Sequence, residues 1–201
     1  MHGLVNRAIQ CFVTDMHGND TWQAVARGAG LDGSGFEAML NHDPAVTRRV
    51  LSGAAQCLDR PEVELLEDIG TYIVSHPNVG ALRRLLRFGG DSFVDFLYSL
   101  DDLRDRARLA VSDLELPELE LHDQAADRYS LHCLTGAPHH TAMRDFGHVM
   151  MGVLRAMADD YGALVVLDHR GLQSGREVIE ITLVERAFST GRSFDLGQRA
   201  G

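Results

Sequence analysis

Near residue 110 the apolar residues of this chain change period, and that change limits the folds open to it. Before it, they recur at steps of three and four. Leu4, Ala8 and Phe12 form one stripe with Ile9 and Val13, and Phe93, Phe96, Leu97, Leu100, Leu103 and Ala107 form another. Beyond it, LELPELELH and YSLHCLT alternate with period two, as strands do. Thr141 to Tyr161 returns to the helical period, with Phe146, Met150, Val153 and Met157 along one side. ALVVLDH and EVIEITLVE then flank the turn-like RGLQSGR as a hairpin. Strand, strand, helix, strand, strand after a helical half predicts an α+β fold. An N-terminal helical half (1–109) packs on an antiparallel sheet of about four strands with one long inserted helix (110–190).

The punctuation agrees. Gly18 ends the first helix, and Asn19 or Asp20 caps a second that Gly28 and Gly30 stop. Asp43-Pro44 starts a third, and Arg60-Pro61 opens VELLEDIGTYIV. VGALRRLLRFGG reads as a short helix, and Asp91 as the cap of one helix running to Arg108. With 201 residues and 45% hydrophobic content, the chain can bury one core, so residues 1–190 are expected to form a single domain. The glycine-rich ending, residues 191–201, reads as a frayed tail.

Several function classes fall away. A net charge of −10 argues against nucleic acid and anionic membrane as partners. No apolar stretch reaches the length of a membrane span, and no leader pattern opens the chain, so it is expected to be cytoplasmic. Three separated cysteines, Cys11, Cys57 and Cys133, fit a reducing compartment and give no CxxC zinc motif. There is no phosphate-binding glycine loop, no HExxH and no GxSxG, so no enzyme is expected. Asp101-Asp102 and Asp159-Asp160 read as solvated carboxylate pairs.

One residue interrupts the second stripe. Arg104 falls between Leu100 and Ala107, at a step where a core side chain belongs. Either it snorkels outward and pairs with Asp101 or Asp105, or it faces a pocket and needs an anionic partner there. It cannot ligate a metal in the usual sense, because a guanidinium stays protonated and has no lone pair.

Set side by side, these segments resemble the heme–nitric oxide/oxygen binding (H-NOX, HNOB) family. MHGLVNRAIQ resembles that family's MYGLVNKAI opening, and HGNDTWQAVARGAG its G-x-x-x-W-x-x-I-x-x-x-A-G helix. PAVTRRVLSGAAQCL and LLEDIGTYIV resemble two further helices, and the strand order and hairpin agree. FLYSLDDLRDRARL resembles F-[LM]-x-x-L-[DN]-x-L-H-A-R-V-x-L, in which the histidine binds the heme iron; here that position is Arg104. The propionate-gripping Tyr-x-Ser-x-Arg strand is matched by Cys133, Thr135 and Ala137, with Arg144 just beyond a connection several residues longer than usual. Val149 matches the position of the oxygen-binding members' tyrosine, and Leu4, Ile73 and Val153 would complete an apolar wall favouring nitric oxide or carbon monoxide.

The resemblance implies a stand-alone, bacterial-type sensory protein acting in signal transduction on a partner such as a histidine kinase or diguanylate cyclase. Its degenerate heme site would be bounded by Leu4, Ile73, Leu97, Leu100, Cys133, Thr135 and Val149, with Arg104 near the mouth. Two expectations follow. In one, conventional heme is lost and the cavity, reduced by Phe93, Phe96, Met150 and Met151, takes an apolar or acidic ligand or none. In the other, heme persists in a nitric oxide sensor with an unusual axial ligand, His148 being the candidate. His132 is expected on the sheet face opposite Cys133, Cys133 as a core residue, and His139-His140 as a solvated pair. An unfamiliar enzyme using the same cavity is the remaining alternative.

Overall fold

The computed structural model describes residues 3–191 except 33, 34, 38, 39, 77–85, 87–89, 113, 135–144 and 190. Helices α1 (Gly3–His17), α2 (Asn19–Gly28), α3 (Pro44–Leu58) and α4 (Glu62–Ser75) form the first half. Two short helices follow, α5 (Phe93–Tyr98) and α6 (Leu103–Ala110). Then come β1 (Glu118–Ala125), β2 (Arg128–Leu134), α7 (Phe146–Tyr161), β3 (Leu164–Gln173) and β4 (Arg176–Glu185). The strands pair antiparallel in the order β1-β2-β4-β3, which is the α+β arrangement the two periods predict.

Element starts follow local chemistry. Asp43 accepts from the Ala45 N–H at 2.8 Å, with Pro44 in the first turn of α3, as expected. Other boundaries differ. Gly18, at φ 90°, precedes α2 in place of Asn19 or Asp20. Ser92, not Asp91, caps α5 through a capping box with Asp95. The single helix expected from Asp91 to Arg108 breaks at residues 99–102. There Ser99, Leu100 and Leu103 donate to carbonyls three residues back, and Arg106 reaches back to the Ser99 carbonyl and hydroxyl. β1 begins after Pro117, which has no N–H for a ladder. β3 and β4 run through most of the expected turn to a two-residue reversal at Ser174 and Gly175, both at positive φ. The short helix expected in 79–90 lies outside the described residues apart from the buried Leu86 and the exposed Gly90, as do 192–201. Just ahead of the expected tail, Ser189 donates to the Gly162 carbonyl at 3.0 Å.

The core has two parts. Phe12, Val13, Trp22, Val25, Val50 and Leu65 fill the space among α1–α4. Phe96, Leu97, Leu100, Leu131, Met150, Leu154, Met157, Ile179 and Ile181 fill the space among α5, α7 and the sheet. Ile73 on α4 packs against both. The two parts are joined where α4 crosses α7. A Cβ on Gly70 would overlap the Val149 carbonyl oxygen, and one on Gly152 would overlap that of Glu67. The backbones touch there because neither residue has a side chain. Sandwiched this way, α7 buries Asp160 to 2% exposure, against the expectation that it is solvated. No described helix is long and apolar enough to cross a membrane.

Candidate functional site

The segment carrying Arg104 lies along β1, an edge strand of the sheet. Phe93, Phe96, Leu97, Leu100, Leu103 and Ala107 are all buried, so the apolar stripe faces the core as its spacing predicts. The polar residues between them bind β1 at three places. Tyr98 donates its hydroxyl to Asp123 at 2.9 Å, Asp101 accepts the Leu121 N–H at 2.7 Å, and Arg104 pairs with Glu118 at 3.3 Å. Asp101 thereby satisfies a strand N–H with a carboxylate. The hydrogen bond to Asp123 holds the Tyr98 hydroxyl above its ordinary pKa.

Arg104 therefore finds its acid on β1, and neither Asp101 nor Asp105 is its partner. Its side chain is 34% exposed, while its Nε is buried and unpartnered. An ion pair this open contributes only tenths of a kcal/mol, or about 1 at most.

The remaining expected residues separate into groups. Leu97, Leu100 and Cys133 lie wholly buried in one core with Phe93, Phe96, Met150 and Met151. Burial pushes the Cys133 thiol far above its usual range, with Glu177 adding to it, so it stays protonated. Leu4, Ile73 and Val149 are partly buried, and the Val149 backbone rests on Gly70. Thr135, Ala137, His139, His140 and Arg144 lie outside the described residues. His132 stands on the opposite sheet face from Cys133, as alternation requires, beside Ser130 at 3.2 Å.

Sequence reasoning missed one cluster beside these residues. His148 on α7 lies 3.2 Å from Glu67 on α4, and Arg155 meets the same carboxylate at 3.0 Å. Burial opposes ionisation of Glu67, but Arg155 and His148 outweigh it and lower its pKa. The His148 ring lies 4.1 Å from that of His169 on β3, which sits 3.6 Å from Glu177 on β4. Glu177 is 3% exposed and accepts the Gly147 N–H at 2.9 Å, serving the start of α7 where Asp145 makes no side-chain cap. Burial raises its pKa, with the Gly147 N–H working against the shift. The His169 pKa is lowered by burial and then by His148. A signal was present: in EVIEITLVE, alternation puts Glu177 on the face of Ile179, Ile181 and Leu183.

A cleft of about 420 Å³ opens between α1 and α4, lined by Phe12, Met16, His17, Arg60, Asp68 and Tyr72 among others. Tyr72 donates to Asp15 at 2.6 Å beside it. None of these lining residues was among the expected site residues, although Leu4 and Ile73 lie on the same two helices.

A helical half joined by one glycine crossing to an antiparallel sheet, with a short helix pair along the edge strand, defines a two-part α+β architecture. The chain belongs to the Haem-NO-binding (HNOB, H-NOX) family, whose model matches residues 2–169, a family of haem-based gas sensors. It is 22% identical over 160 residues to the soluble guanylate cyclase gcy-31 of Caenorhabditis elegans, covering 80% of this chain and 22% of that protein. It thus spans about a fifth of that relative's length. Among solved structures, it resembles the Fe(II) unliganded H-NOX protein of K. algicida with a TM-score of 0.77, 13% identity and coverage of 92% and 98% of the two chains. It also resembles a T. tengcongensis H-NOX variant with a TM-score of 0.74, 15% identity and coverage of 94% and 100%. At these identities the likeness is one of fold.

Proposed function

We propose that this chain is a non-catalytic sensory or regulatory H-NOX module in which the histidine-ligated heme site has degenerated. It acts on a signalling partner, a histidine kinase or diguanylate cyclase. The observation that carries the reading is Arg104: it stands where the resemblance puts the proximal histidine, has no lone pair to offer, and is committed to Glu118 on β1. The residues around it do not fit an axially ligated heme. Cys133 is held as a thiol inside a packed core, and His148 is engaged between Glu67 and His169. Leu97 and Leu100, taken as pocket walls, pack with Met150 and Phe96 in that core. Partly buried Leu4, Ile73 and Val149 keep the apolar character that a small apolar or acidic ligand would use.

The test is protein purified from heme-supplemented cells, read by its Soret band and a pyridine-hemochrome titration. The expected result is substoichiometric heme in the native chain and higher retention in Arg104→His. One-to-one heme in the native chain that survives gel filtration overturns the reading, and His148→Ala then locates the ligand. Thermal-shift screening of fatty and aromatic acids against Arg104→Ala tests the acidic-ligand form.

A further inference from the structure

The outer face of the β1–β2 pair carries a cluster that heme chemistry does not use. Glu120 and His132 are direct cross-strand partners, and His122 follows Glu120 two residues on, so all three share one face. One ligand atom from each lies within 4.8 Å of the other two. His122 Nε2 is 3.5 Å from a Glu120 oxygen, and the two imidazole rings are 4.3 Å apart.

We infer that Glu120, His122 and His132 form a binding site for a divalent first-row transition ion of the zinc class. Two imidazoles and one carboxylate are a donor set suited to such ions, and three protein ligands leave a fourth position for water or a partner's donor.

The surroundings orient the ligands as metal sites require. Gln124 donates to Ser130 Oγ at 2.9 Å, and Ser130 Oγ lies 3.2 Å from His132 Nε2. With that nitrogen engaged, His132 Nδ1 is left buried with no hydrogen-bond partner, a cost that a bound ion removes. Arg176 donates to Glu120 Oε2 at 2.9 Å, the same oxygen that lies 3.5 Å from His122 Nε2, and so fixes the carboxylate beside the imidazoles.

The experiment is a Zn²⁺ titration of the full chain by competition with a chromophoric chelator, with Co²⁺ substitution read by its visible ligand-field bands. One ion should bind per chain, and His132→Ala, His122→Ala and Glu120→Gln should each weaken it about tenfold or more. His17→Ala, on the distant cleft, should leave it unchanged. His122 is exposed, so its variant keeps the fold, and circular dichroism checks the others. Absence of stoichiometric binding, or an affinity unmoved in His122→Ala and Glu120→Gln, overturns the site. Neither result bears on heme, which is read separately by its Soret band.

Discussion

Gly152→Ala sets two effects of opposite sign against each other. Gly152 lies inside α7, where replacing glycine by alanine favours the helix by about 1 kcal/mol. Its missing Cβ, however, is the space occupied by α4. An added methyl would overlap the Glu67 carbonyl oxygen and crowd the Thr71 amide nitrogen at 2.7 Å. Both are backbone atoms of a packed helix, so neither can rotate away, and the Thr71 hydroxyl bond to the Gly152 carbonyl at 3.4 Å is strained as well. Overpacking of this kind costs about 3 kcal/mol, the upper part of its ordinary range. The net loss is about 2 kcal/mol, and for a chain this size Tm falls by about 4–8 °C. Gly53, inside α3, is the control: its Cβ would meet the Val25 carbonyl oxygen at 3.6 Å, an ordinary contact. Gly53→Ala should therefore gain the helix term alone and raise Tm by about 2–4 °C. Calorimetry and urea titration of both variants, with circular dichroism to confirm helix content, make the comparison. A Gly152→Ala protein as stable as the native chain would refute the backbone contact between α4 and α7.

Thr47 donates to Asn6 at 2.6 Å in the interior between α1 and α3, so Thr47→Val should cost about 1–3 kcal/mol in urea unfolding by stranding the Asn6 oxygen. Under native conditions Ellman's reagent should label exposed Cys57 and spare Cys133 until denaturant is added; prompt reaction of Cys133 would contradict its burial. His169, whose pKa is lowered, binds its proton more readily in the unfolded chain, so its contribution falls as pH drops through 6.5. It faces His148, Glu67, Asp145, Asp168 and Glu177, and His169→Gln should lose less stability between pH 7.5 and 5.5 than the native protein does. Glu177, whose pKa is raised, has the opposite sign: its penalty appears as pH rises above 4.5, so Glu177→Gln should lose more than the native protein as pH falls towards 4.5, read by urea midpoints.

The parts of the fold that were legible in the sequence are those set by period. The stripe from Phe93 to Ala107 is buried throughout, and alternation in β2 separates Cys133 from His132 onto opposite faces. What period cannot supply is long-range pairing. Arg104 had two acids close by in sequence, Asp101 and Asp105, yet it meets Glu118, 14 residues on, because α6 lies against β1. The break at residues 99–102 was hidden for a related reason. The apolar spacing continues through it, and the change shows in the backbone bonds to carbonyls three residues back and in the reach of Arg106 to Ser99. The cluster of Glu120, His122 and His132 likewise depends on a register in which Glu120 faces His132, which no single strand reveals.

Position 104 and the glycine pair are under unequal physical constraint, and this bears on how the site and the fold separate. The Arg104–Glu118 pair is partly solvated, so Arg104→Ala should change stability by less than about 1 kcal/mol. Its buried neighbours Leu103 and Ala107 hold α6 in place without it. Packing around α6 therefore makes little demand on the charged end of the side chain at 104. Gly70 and Gly152 admit no such freedom, since any Cβ meets backbone. The residue at position 104 can therefore be exchanged while the two halves stay joined. Unfolding the native protein, Arg104→Ala and Arg104→His side by side tests the separation. Equal midpoints in all three support it, and a drop of several kcal/mol in Arg104→Ala would show that the arginine belongs to the structure as much as to the site.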